Sequence, residues 1–133
     1  MKNFLVLSIS VIIWSVQSMA CSEAGPHDFD VSPGMQNTCG KIALQYALQF
    51  AKTIVNIEKN ETGYDGPLSG FTPEKALPGL YTTQKRTGNS KLIGFNVGLN
   101  SKNKWECNFC VDMAVDEKGN CKIETIRRHM CAK

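Results

Sequence analysis

The sequence has no run of like charge, no internal repeat and no low-complexity tract. After its first twenty residues it has no long apolar run either. Fifteen Lys and Arg stand against twelve Asp and Glu, scattered along the chain, for a formal net charge of only +3. That is too small and too dispersed to form an electrostatic footprint on nucleic acid or a membrane surface. No later apolar stretch reaches the roughly 20 residues a bilayer-spanning helix needs. Histidine is scarce, and His27 and His129 read as surface residues. No Ser–His–acid set, acid–base pair or glycine-rich phosphate loop stands out, and Glu23, Asp28 and Asp30 read as solvated. No catalytic residue and no cofactor is therefore expected, and the chain does not read as an enzyme.

What is present begins with "MKNFLVLSISVIIWSVQSMAC". Lys2 precedes an apolar run from Phe4 to Val16, and Ser18 and Ala20 bracket Met19 in a small-x-small ending. A charged start, a short apolar core and small residues at the end make a secretory signal peptide over 1–20, with cleavage after Ala20. Ser18 stands where a lipoprotein signal would carry a bulky aliphatic, which argues against acylation of Cys21. The remaining 21–133 is expected to form a single small domain, exported to an extracellular or periplasmic space and monomeric. All six cysteines fall in this part: Cys21, Cys39, Cys107, Cys110, Cys121 and Cys131. An even count in an exported chain argues for disulfides.

Residues 21–36 carry Pro and Gly without a period and read as an irregular arm. From "NTCGKIALQYALQFAKTIVNIEKN" the period becomes helical. Lys41, Gln45, Gln49, Lys52 and Asn56 form a polar stripe, opposed by Leu44, Ala47, Leu48, Ala51, Ile54 and Val55. Tyr46 and Phe50 widen the apolar side and are expected in the core. Asn37 or Thr38 is the expected N-cap, and Gly63 the stop. Residues 60–79 read as a Gly- and Pro-rich loop, and Asn60-Glu61-Thr62 matches the N-glycosylation pattern.

Strand signals follow. "GLYTTQKRT" is Thr-rich. In "KLIGFNVGLN", Ile93, Phe95, Val97 and Leu99 alternate with Gly94, Asn96 and Gly98, the mark of a half-buried antiparallel strand. Gly88-Asn89-Ser90 is the turn between them. In "WECNFCVDMAV", Trp105, Cys107, Phe109, Val111, Met113 and Val115 share one face. Glu106, Asn108, Cys110, Asp112 and Ala114 share the other. "DEKGN" turns the chain and "CKIETIRRHMC" returns with a poorer period. One long amphipathic helix followed by three to four antiparallel strands predicts an α+β domain, a curved sheet packed on the helix.

The alternation bears directly on Cys107-x-x-Cys110. Residues three apart on a strand lie roughly 10 Å apart on opposite faces, whereas a disulfide needs Cα atoms within about 7 Å. The two should not bond each other, and no helix follows to lower a thiol pKa as in a redox centre. Zinc bound by Cys107, Cys110, Cys121 and either His129 or Cys131 is the competing reading, but such pairs sit on tight turns and an oxidising compartment favours the disulfide. The preferred reading is structural: Cys107 and Cys131 flank a hairpin centred near Gly119 and face each other. A bridge there contributes on the order of 3 kcal/mol. Cys21, Cys39, Cys110 and Cys121 make two more bridges whose pairing the sequence leaves open.

The order helix, hairpin, disulfide-closed hairpin resembles the cystatin superfamily. "QKRTG" is similar to that family's Q-x-V-x-G loop, keeping Gln84 and Gly88 with Arg86 at the usual Val position. "CNFCVDMAV" with its turn and last Cys resembles the family's final hairpin, whose bridge matches Cys107 and Cys131. "SPGM" places Gly34 roughly where the family keeps an N-terminal glycine before the helix. The resemblance implies a non-catalytic inhibitor whose partner is a papain-like cysteine protease, contacted through Gly34, Gln84, Arg86 and Gly88. Three departures stand against that function: the second loop is Asp116-Glu117-Lys118-Gly119 with no Pro-Trp pair, Arg86 replaces an apolar contact, and the link over residues 60–79 is longer than the family's usual one. A charged tip is costly to desolvate in an apolar cleft, and fold alone does not carry function.

Overall fold

The computed structural model describes Cys21, residues 25–62 and residues 70–132, excepting the side chains of 55–62 and of Met130. The expected signal peptide, Gly63 and the side chain of Asn60 lie outside what is described.

The helix α1 runs Pro33–Thr62. It starts inside the span expected to be irregular, and Asn37 and Thr38 are not its cap. Ser32 is: its hydroxyl accepts from the Met35 amide at 3.2 Å, and its carbonyl accepts from the Gln36 amide. Pro33 then occupies the first helical position, where its fixed φ fits and its missing N–H costs nothing. Gly34 therefore lies within the first turn of α1 rather than in an arm before it.

The helix meets the sheet along Cys39, Ala43, Ala47 and Ala51, each fully buried. A step of four keeps these small residues on one side. Ile42, Leu44, Leu48, Phe50 and Ile54 pack around that line. Phe50 meets Phe109 edge-on, with ring centroids 6.0 Å apart. Tyr46 departs from expectation: on the same flank as Phe50, it is 46 % exposed.

The sheet has five strands: β1 Thr72–Pro73, β2 Gly79–Lys85, β3 Lys91–Asn100, β4 Glu106–Val115 and β5 Cys121–Ala132. Four are the strands the alternation predicts. The two-residue β1 adds a short pairing at the far end of β3. All pairings are antiparallel; β3, β4 and β5 form a meander, while β1 and β2 share the other edge of β3. Ile93, Phe95, Val97 and Leu99 of β3, with Cys107, Phe109, Val111, Met113 and Val115 of β4, are all buried against the helix. Register shifts in β5 leave Glu124 and His129 without a partner on β4. These bulges account for the poor period of that segment, because each extra residue inverts the alternation.

The segment before α1 is not irregular throughout. The Gly25 amide donates to the Tyr81 carbonyl, the Thr83 amide to the Pro26 carbonyl and the Asp28 amide to the Thr83 carbonyl. A parallel bridge joins His27 to Thr83. The otherwise open edge of β2 is thereby covered, which removes a site for edge-to-edge association. Among the described residues, no helix is long and apolar enough to cross a membrane.

Candidate functional site

All six cysteines are bonded, in the pairs Cys21–Cys110, Cys39–Cys121 and Cys107–Cys131. Cys107 and Cys131 sit directly opposite each other on β4 and β5. Cys110, three residues along β4 from Cys107, faces the other side of the sheet and is bonded to Cys21, ahead of α1. Both of its sulfur's surroundings are closed: Cys110 and Cys21 are 0 % and 1 % exposed. The thiols on which a zinc or Cys-x-x-Cys centre would depend are thus committed to three separate clamps. Three disulfides fit a protein of an oxidising compartment.

Chemistry-bearing side chains gather instead at one end of the molecule. The β2–β3 turn closes through the Arg86 amide on the Ser90 carbonyl, and the β4–β5 turn through the Asp116 amide on the Asn120 carbonyl. Gly88 and Gly119 carry the positive φ values, 78° and 83°, that these turns require. Between the two turns and the first turn of α1 lies an open groove of about 420 Å³. Met35, Arg86, Gly88, Lys91, Val115 and Glu117 are among its lining residues.

The groove is cross-braced. Asn89 of the first turn donates its side-chain amide to Glu117 of the second. Arg86 makes a two-pronged ion pair with Glu124 of β5, at 2.6 and 2.8 Å. That contact raises the Arg86 pKa and lowers that of Glu124. Asp116 accepts from the amides of Lys118 and Asn120 and from the Asn120 side chain. These bonds, the Asn120 amide foremost, hold its carboxyl below the ordinary carboxylate range. The Lys85 amide donates to Asp28, and the Lys91 ammonium sits 4.9 Å above the Phe29 ring. Cys39–Cys121 clamps the start of α1 to the first residue of β5, just behind the second turn.

The four contact candidates distribute unevenly about this groove. Arg86 and Gly88 line it. Gly34 is beside it in sequence through Met35, and a Cβ at Gly34 would meet nothing within 4 Å. Gln84 lies back in β2, half-buried, its side-chain amide donating to Thr82 at 3.3 Å. Met35 and Lys91 carry no motif in the sequence, and Asn89 and Glu117 stand out there as turn residues only. Both turns are legible in the sequence, at Gly88-Asn89-Ser90 and at "DEKGN", but the closeness of Met35 and Lys91 to them is not.

A second polar cluster lies on the outer face of the sheet. The Tyr81 hydroxyl donates to Asp112, which also accepts from Thr125 at 3.0 Å and lies 3.5 Å from Arg127. Burial first, and the Asp112 carboxylate second, raise the Tyr81 pKa well above the tyrosine range. Set beside known proteins, the chain matches no protein-family model, no curated protein and no solved structure.

Proposed function

We propose that this is an exported, disulfide-stapled, non-catalytic binding protein whose partner meets the end formed by the two hairpin turns and the start of α1. The observation that carries the reading is their convergence on one cross-braced groove. A scaffold that holds two turns rigidly lowers the ordering cost of binding. The cystatin-like motifs supply the partner class to try first, a papain-like cysteine protease. Arg86 and Gly88 sit at the turn that such a protease would meet, while the missing Pro-Trp pair and the salt-bridged Arg86 set this chain apart from the family's apolar wedge.

Inhibition assays against a panel of papain-like proteases test this. The expected result is inhibition that weakens in Gly34→Glu, a change that the open space at Gly34 tolerates. It should strengthen in Arg86→Val, which places an apolar side chain at the turn. No inhibition by the wild-type chain or by Arg86→Val removes the protease as partner.

A further inference from the structure

A small cleft opens on the edge of β3, away from the two-turn end. It exists because β1 pairs only with Asn100 and Leu99, while β2 pairs no further than Asn96. Val97 and Gly98 are left between them, and the segment after β1 loops past. That segment is anchored by the Glu74 amide on the Gly98 carbonyl at 2.9 Å. The cleft has a volume of about 100 Å³. That suits one side chain or a very small molecule, far below the roughly 300–1,000 Å³ of drug-sized sites.

Its two ends differ in chemistry. Leu44, Leu77, Pro78 and Val97 give an apolar wall. At the other end, Asn96 and Asn108 stand on the outer face of the sheet around Gly98, which pairs directly with Asn108. Gly98 has no side chain to fill that floor, and the Glu74 carboxylate occupies the space where its Cβ would project. The Asn96 side-chain oxygen is buried there without a hydrogen-bond partner. A buried acceptor left unmet is destabilising, so this oxygen is primed for a donor. Glu74 makes no ion pair among the described residues.

We propose that this cleft binds a primary ammonium carried on an aliphatic stem, as on a lysine side chain or a free alkylamine. The stem lies along Leu44, Leu77 and Pro78, and the three N–H donors go to Asn96, Glu74 and Asn108. A calcium ion fits less well, because it takes six to eight oxygens with more than one carboxylate, and Glu74 is the one carboxylate that lines the cleft. Lys75 also lines the cleft, and its charge opposes the ligand. Removing that charge should therefore tighten binding.

The test is a titration of the ¹⁵N-labelled full-length mature chain, followed by amide chemical shifts. The probes are n-butylammonium, N-acetyl-lysine-methylamide and, as control, N-acetyl-norleucine-methylamide. Saturable shifts confined to residues 74–77, 79, 96–98 and 108 are expected with the ammonium probes and not with norleucine. Similar affinity for both ammonium probes identifies the ammonium and stem as all that is read. Stronger binding of the blocked lysine points to a peptide source. Glu74→Gln should weaken binding about tenfold and Lys75→Gln strengthen it about twofold. Absent or non-saturating shifts, equal response to norleucine, or saturation by calcium alone would overturn the proposal and leave Asn96 to an ordered water.

Discussion

Tyr81 of β2 reaches Asp112 of β4 by lying across β3 at Gly94. A register shift between Leu80 and Thr82 makes Tyr81 the extra residue of β2. A Cβ at Gly94 would stand 2.6 Å from both the Tyr81 ring and the Thr82 methyl. The bulge, the glycine and the carboxylate together form one strap over the outer face of the sheet.

Gly94→Ala should therefore destabilise the fold by about 1–3 kcal/mol, because β3 is central and the overlying ring must move. Tyr81→Phe should cost about 1 kcal/mol, since Asp112 keeps Thr125 and Arg127. Urea unfolding at neutral pH measures both. Gly94→Ala being neutral would mean that the ring is not seated as described.

The same strap sets an alkaline pH dependence. The folded chain holds the Tyr81 proton to higher pH than the unfolded chain, where the phenol ionises near its ordinary value of 10.0. Below that pH the contribution is whole; above it the unfolded chain binds fewer protons than the folded one, and stability falls as pH rises. Between pH 9 and 11, wild type should lose stability more steeply than Tyr81→Phe. In a 295 nm titration of folded protein, the absorbance step that Tyr81→Phe removes should lie above the ordinary tyrosine range. Parallel curves for the two proteins would contradict this.

Arg86 and Glu124 are each about a third exposed, so their ion pair should matter little to stability. Arg86→Val is expected to change the unfolding free energy by less than about 1 kcal/mol. Any change in partner binding by that variant then reports on the groove and not on folding. Chemical denaturation alongside the binding assay checks it.

The staples should differ in worth. The Cys107–Cys131 bridge spans 24 residues and Cys39–Cys121 spans 82. On the loop-entropy account, removing the first as an alanine pair costs about 3.5 kcal/mol and the second about 4.5 kcal/mol. Only loss of Cys39–Cys121 should also speed amide exchange at residues 33–39 and 116–120, because that bridge holds the groove's walls together. Equal exchange in both variants would show that the groove does not depend on it.

β3 and β4 could be read in the sequence because one face is fully buried and period two has no slack: Ile93 to Leu99 and Cys107 to Val115 alternate without a break. The facing of Cys107 and Cys131 followed from that alternation and the Gly119 turn. The other two bridges did not, because they join residues 82 and 89 positions apart that only tertiary packing brings together. The helix start was misplaced because apolar periodicity begins well inside α1, whereas Ser32 and Pro33 act through backbone bonds and a fixed φ. β1 is two residues long and includes Pro73, so it left no pattern. The groove was invisible as a unit, since its lining comes from the start of α1, two turns and the strand ends beside them. Gly94 and Gly98 marked a strand's outer face but not what would cover it.

Cys107 and Cys110 point to opposite faces of β4 and serve separate bridges. Acid digestion with pepsin under non-reducing conditions, with cleavage at Phe109 between them, followed by mass spectrometry, tests it most directly. The expected linked peptides join Cys21 to Cys110, Cys39 to Cys121 and Cys107 to Cys131. A Cys107–Cys110 bond, or either residue recovered as a free thiol (the form in which a zinc ligand emerges from acid), would contradict this pairing.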